Sequence, residues 1–268
     1  MPDSAPPPDL RRRLVAAGIS GAADPVAAWR LLRAAEGRRV TGIDLYRLAA
    51  APRGLAADEL PPAERASLAA AAMAVLYPGF GDLPDRARPR EPVEIVPYDP
   101  GWPGRYLRWR ERLVPALGPA AVRIEHVGST AVPGLPAKPV IDIQLSVADI
   151  GDEARYAGPL QATGLLLRTR DDEHRFFHPA PDRPRDIHLH VCAAGGTWER
   201  EHPLFRDYLR VRPAARDAYH RAKLAAAATW RDDRFAYTEA KTAVILDILA
   251  DAERWARATA WALPPPLS

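Results

Sequence analysis

The chain is poor in several residues that usually announce a site. It has one cysteine, Cys192, in 268 residues, which excludes an internal disulfide and any multi-cysteine metal cluster. Lysine is scarce as well: only 138, 223 and 241 of the 37 basic positions are lysine. Arginine and lysine are not chemically interchangeable, so each retained lysine is worth following. No apolar run reaches the ~20 residues that a membrane helix needs; the longest lie near Leu68–Tyr77 and Ala243–Ala250. A surplus of one charge is missing too. The 37 basic and 34 acidic residues give a net charge of +3, and no segment is basic enough for a nucleic-acid footprint. Residues Met1–Pro8 carry neither a basic stretch nor an apolar core, so the expectation is a cytoplasmic protein with no secretion signal and no membrane partner.

What is present fits a globular protein, with 47% apolar and 26% charged residues. Residues 1–9 read as a proline-rich tail. Residues 10–77 read as a small all-α accessory region. Asp24-Pro25 starts a helix that Gly37 stops, Thr41 and Asp44 form a capping box, and Pro61-Pro62 open a helix that Pro78-Gly79 closes. Residues 78–92 have the Pro, Gly and Arg content of a linker.

A different pattern runs from 93 to about 260. Val93–Pro97 is a strand candidate. Asp99-Pro100 precedes an amphipathic helix carrying Trp102, Tyr106, Trp109, Leu113 and Leu117 on one stripe. Strands are expected at Val122–Val127, Val140–Val147, Leu165–Arg170, Arg175–His178 and Ile187–Cys192, with a helix near Asp152–Thr163. Helices follow from Trp198, with His202-Pro203 read as a helix entry and a last helix from about Tyr237 to Thr259. The fold class is α+β (mixed α/β), one sheet covered by helices.

The most informative stretch runs from His126 to Gln144. Gly128 permits a sharp turn and a close approach of backbone to a ligand. Ser129 and Thr130 supply hydroxyls beside it. On the next strand, period two places Asp142, Gln144 and Ser146 on one face and Ile141, Ile143, Leu145 and Val147 on the other. The apolar set faces the core, so Asp142 is expected to face a cleft or solvent. Together these residues suggest a phosphate cradle beside a carboxylate able to hold Mg²⁺ or Mn²⁺. A tight turn and a solvated aspartate would look the same. Lys138 and Lys241 are candidate phosphate contacts, and surface solvation is the plain alternative for both. His126 is expected to be a satisfied, partly buried histidine, and Arg123 and Glu125 to share a face and pair.

This stretch, with Leu204–Leu209 and Tyr237–Lys241, resembles the GrpB family over roughly residues 91–255. Similar domains also occur fused to dephospho-CoA kinase. The resemblance implies a nucleotidyltransferase-like sheet, with Gly128 and Ser129 holding nucleotide phosphates, Asp142 binding metal, and nucleotidyl transfer to an acceptor. Gln144 departs from that pattern, since the superfamily carries its second acid there. Asp142 with a neutral oxygen from Gln144 suffices for one cation once substrate oxygens join it, but it is thin support for a two-metal site.

Two other readings follow. One is a catalytically degenerate module that binds a nucleotide, a CoA-type ligand or another phosphorylated small molecule. The other is a metal-dependent hydrolase in which Asp142, His188 and His190 hold a softer metal, because imidazole suits Zn or Mn better than Mg. His188 and His190 share one strand face by alternation, and both could equally line a groove without metal.

Overall fold

The computed structural model describes residues 8–19, 24–78 and 91–267. Residues 1–7 of the expected tail and 79–90 of the expected linker lie outside the described residues. In chain order the helices are α1 (Pro8–Ala16), α2 (Pro25–Glu36), α3 (Gly42–Ala50), α4 (Pro62–Leu76), α5 (Trp102–Leu117), α6 (Ala157–Ala162), α7 (Thr197–Val211), α8 (Pro213–Thr229), α9 (Arg234–Glu239) and α10 (Thr242–Thr259). The strands are β1 (Arg123–Val127), β2 (Ile141–Val147), β3 (Leu165–Arg170), β4 (His174–Pro179) and β5 (Ile187–Ala193). Among the described residues, no helix is long and apolar enough to cross a membrane.

The chain divides into two compact units. The first takes in residues up to 76, 91–93 and 221–246, so it draws on a C-terminal stretch as well as on the helices expected at 10–77. Asp24 caps α2 by accepting from the backbone N–H groups of Val26 and Ala27. The Thr41 N–H in turn donates to Asp44 at 2.9 Å, one arm of the expected capping box on α3. Trp29, Leu32, Leu45 and Tyr46 are fully buried, which supplies the apolar contact that short helices need to be stable.

The second unit takes in residues 94–220 and 247 onward and contains a five-stranded sheet in the order β1-β2-β5-β4-β3. β2 and β5 run parallel, and every other neighbouring pair is antiparallel. One sheet face carries Ile141, Ile143 and Leu145 of β2 beside Ile187, Leu189 and Val191 of β5, packed with Trp102, Leu113 and Leu117 of α5 and Leu160 of α6. Truncating Leu145 or Leu189 to alanine in such a core costs about 3 kcal/mol.

Several details depart from the sequence reading. Val93–Pro97 is not a strand; it contributes a single bridge, Val96 to Ala137, because Pro92 and Pro97 withhold ladder donors on either side. The last helix is two helices, α9 and α10, broken at Ala240–Lys241. Arg123 and Glu125 do not pair with each other: Arg123 pairs with Glu199 and Glu125 with Arg206, both on α7. Nor does the polar face of β2 lie open. Gln144 and Ser146 are buried, and Asp142 alone is half-buried.

Candidate functional site

β1 hands over to the turn at Gly128, where φ is +70°, a conformation in which L side chains are strained. The antiparallel register sets Val127 opposite Asp142, which brings the turn against the aspartate. A Cβ at position 128 would fall 2.3 Å from Asp142 Oδ2 and 2.9 Å from its Cβ. Only glycine lets the backbone come this close. Ser129 is half-buried, and its hydroxyl is hydrogen-bonded with Tyr219 of α8. Burial pushes the Tyr219 phenol up to about 12, so it stays protonated, and Phe205 packs edge-on against it at 5.1 Å.

The parallel register places Asp142 beside His188 and Gln144 beside His190. His188 Nδ1 lies 3.1 Å from Asp142 Oδ1, and His190 Nε2 lies 3.9 Å from the same oxygen. Arg185 donates from Nε to His188 Nε2 at 2.9 Å. A guanidinium only donates, so Nε2 must carry the lone pair. Burial, with the charges of Arg185 and Lys138, outweighs Asp142 and pushes the His188 imidazolium down to about 3. His188 is therefore neutral near pH 7, its proton sits on Nδ1, and it donates to Asp142. Both its nitrogens are engaged. Burial alone would raise the Asp142 carboxyl, but the hydrogen bonds and charge interactions from His188 and His190 hold it well below the usual carboxylate range.

A wider ring of side chains surrounds these two histidines. His190 Nδ1 lies 3.0 Å from His174 Nε2. The His174 ring stacks on Trp198 at 4.2 Å, Trp198 stacks on His202 at 3.7 Å, and Phe176 meets His188 edge-on at 5.2 Å. Burial pushes His174 well below the usual histidine range. Sequence reasoning found His188 and His190 but missed His174, Arg185, Trp198, His202 and Tyr219. One signal was available: five of the seven histidines lie between 174 and 202.

His202-Pro203 is not a helix entry, because both residues lie inside α7. Pro203 has no N–H to offer the carbonyl four residues back, at Glu199. Gln144 Nε2 donates to that carbonyl instead, at 2.9 Å. An amide can make this bond and a carboxylate could not, because an ionised carboxylate only accepts. The Glu199 side chain is itself held by Arg123 and by the Gly195 N–H. Gln144 Oε1 is buried with no hydrogen-bond partner among the described residues.

The remaining candidates are spread. Thr130 is buried and its hydroxyl meets His126 Nε2 at 3.0 Å. His126 stacks on Tyr106 at 4.9 Å, and burial pushes it down to about 4, as a satisfied histidine would be. Lys138 is half-buried, with its charge felt at His188. Lys241 belongs to the first unit, where its ammonium lies 4.0 Å above the Tyr237 ring. Among the described residues, no three His, Cys, Asp or Glu side chains form a group that could hold a metal ion by themselves.

Residues 92–251 match the family model described as GrpB protein. The chain belongs to the GrpB family. It is 43% identical to a UPF0157 protein of Streptomyces coelicolor over 156 residues, 58% of this chain and 82% of that one. A UPF0157 protein of Halalkalibacterium halodurans is 43% identical over 162 residues, 59% of this chain and 80% of that protein. A Mycobacterium bovis protein named dephospho-CoA kinase is 33% identical over 212 residues, 69% of this chain but only 52% of that relative. Among solved structures, the conserved protein GrpB from Enterococcus faecalis matches with a TM-score of 0.55 and 28% identity, over 60% of this chain and 99% of that one. The GrpB match thus includes the Gly128 turn, Asp142 and the histidines, and leaves the N-terminal helices outside.

Proposed function

We propose that the site around Asp142 binds the phosphoryl end of a nucleotide or another phosphorylated small molecule together with one divalent cation, as a nucleotidyltransferase-like site. The observation that carries this reading is the approach of the Gly128 backbone to Asp142, a carboxylate kept ionised beside a turn that tolerates no side chain. The donor set fits a single oxygen-preferring ion such as Mg²⁺ or Mn²⁺. Asp142 offers a carboxylate and Gln144 an amide oxygen with no hydrogen-bond partner among the described residues, and substrate oxygens and water would complete the coordination. When bound, the cation would offset negative charge on the phosphoryl oxygens. His188 and Arg185 hold the Asp142 carboxylate in place, and Lys138 adds positive charge nearby. Ser129, positioned by Tyr219, offers a hydroxyl to a phosphate oxygen. Any transfer would proceed through positioning and electrostatics. The relatives named dephospho-CoA kinase support a phosphate-bearing ligand class.

A second reading, binding without turnover, is favoured by Gln144. The position of the second acid is buried and tied to α7, which leaves little to hold a second ion. The hydrolase reading has less support, because both nitrogens of His188 are already engaged.

Melting the protein with each of the four nucleoside triphosphates and with CoA compounds, with and without Mg²⁺ or Mn²⁺, tests the proposal. A ligand at 100 times its dissociation constant stabilises by about 2.7 kcal/mol. The expected result is a metal-dependent shift that Asp142→Ala removes, and pyrophosphate release then separates transfer from binding. No shift with any of these ligands would remove the proposal's support.

A further inference from the structure

A charged cavity lies on the far side of the sheet from Asp142. Helix α5 carries Arg105, Arg108 and Arg112 at spacings of three and four, so all three rise from one helix face. With Trp109 of the same helix, Ile141 at the start of β2 and Asp186 just before β5, they line a cleft of about 430 Å³, within the size range of small-molecule sites. Ile141 and Asp142 are neighbours on β2 and point to opposite faces. The cleft is therefore separate from the acidic site, although both lie at the same end of the strand.

The arginines are set in place before any ligand arrives. Asp99 Oδ2 accepts from Arg105 Nη2 at 2.8 Å, and Asp99 itself caps the approach to α5 by accepting from the Gly101 N–H. The Arg112 guanidinium lies 4.2 Å over the Trp109 ring and donates to the Thr163 carbonyl at 2.9 Å. Arg108 is exposed beside them. Three guanidinium groups against Asp186 in the lining and Asp99 paired with Arg105 still leave a net positive charge. Their planar forks match the paired oxygens of phosphate groups, and holding two of them in advance lowers the ordering cost of binding.

We infer that this α5 cleft is a binding site for a small multiply charged oxyanion, of the diphosphate class, that does not require a metal ion. The cleft supplies charge and hydrogen-bond donors but only one carboxylate in its lining. It therefore recognises the anion directly, whereas the Asp142 site needs a cation between carboxylate and phosphate. The inference is independent of the proposed function, because no residue is shared.

Isothermal titration of the full chain with inorganic pyrophosphate, in buffer stripped of divalent metal, tests it. The expected result is saturable binding that weakens at least tenfold in Arg108→Glu, weakens in Arg105→Gln, falls as salt rises, and is unchanged in Asp142→Asn. Arg108 is exposed, so its variant should melt like the parent protein. Absence of binding at millimolar pyrophosphate would overturn the inference, as would parent-like binding by both arginine variants. Loss of binding in Asp142→Asn would overturn it too, by assigning the anion to the acidic site.

Discussion

Gln144 on β2 donates its side-chain amide to the Glu199 carbonyl, the acceptor that Pro203 leaves unused in α7. The strand and the helix are thus joined by a bond that exists because proline is where it is. Gln144→Leu removes the donor and leaves a buried carbonyl unsatisfied, at a cost of about 2 kcal/mol. In a Pro203→Ala background the helix can supply its own N–H to that carbonyl, so the same substitution should cost less. A double-mutant cycle measured by urea unfolding should show this coupling, and additive energies would argue against it. Gln144→Glu should be worse than Gln144→Leu, because it buries a charge with no donor.

Gly128 is the most constrained residue near the acid. Gly128→Ala must adopt φ +70° and place a Cβ 2.3 Å from Asp142 Oδ2. The backbone strain alone is about 1–3 kcal/mol, and Asp142 must also move. The expected outcome is a lower melting temperature together with loss of any metal-dependent ligand shift. Gly134→Ala is the control: it shares positive φ but has nothing within 4 Å of an added Cβ, so it should keep the ligand shift.

The buried histidines set an acid limit on stability. His126 is held neutral, its pKa pushed by burial from the usual value down to about 4. Between about 6.5 and 4 the unfolded chain therefore binds a proton that the folded chain does not, and stability falls as pH falls through that window. The slope is about 1.4 kcal/mol per pH unit for each such histidine, or on the order of 3 kcal/mol across the window for His126. His188 and His174 act in the same direction. Unfolding free energies measured from pH 7 to 5 should drop steeply, and His126→Gln should flatten the drop by one histidine's share.

Cys192 is buried, and burial pushes its thiol up to about 12 despite a contact with Ser146. The reactive species is the thiolate. The native protein should therefore resist thiol reagents at pH 8 and react with one equivalent only after unfolding. Rapid labelling of the native chain would show that this end of β5 opens readily.

Much of the second unit was legible because its signals are local. The alternation of Ile141–Val147 identified both the strand and its apolar core face, and β1 and β2 are consecutive strands that pair antiparallel, with Val127 opposite Asp142, so the turn and the aspartate read together from sequence do meet. The histidine ring was not legible in full. His174, His190 and His202 come from β4, β5 and α7, and only strand order brings them together. The role of Arg206 was equally hidden: a buried guanidinium bridging Glu125, the His126 carbonyl and Asp207 depends on where α7 lands on β1. The break between α9 and α10 carries neither proline nor glycine, and the pattern of apolar residues runs through it unmarked.

In the proposed function Asp142, held by His188, binds a phosphorylated ligand through a cation. The most direct measurement of this binding is the affinity of the best ligand from the melting screen, titrated with and without Mn²⁺ into the parent chain and into Asp142→Asn. Tight binding is expected only for the parent with metal, with at least tenfold weaker binding when either the metal or the carboxylate is removed. Equal affinity in all four titrations would contradict it.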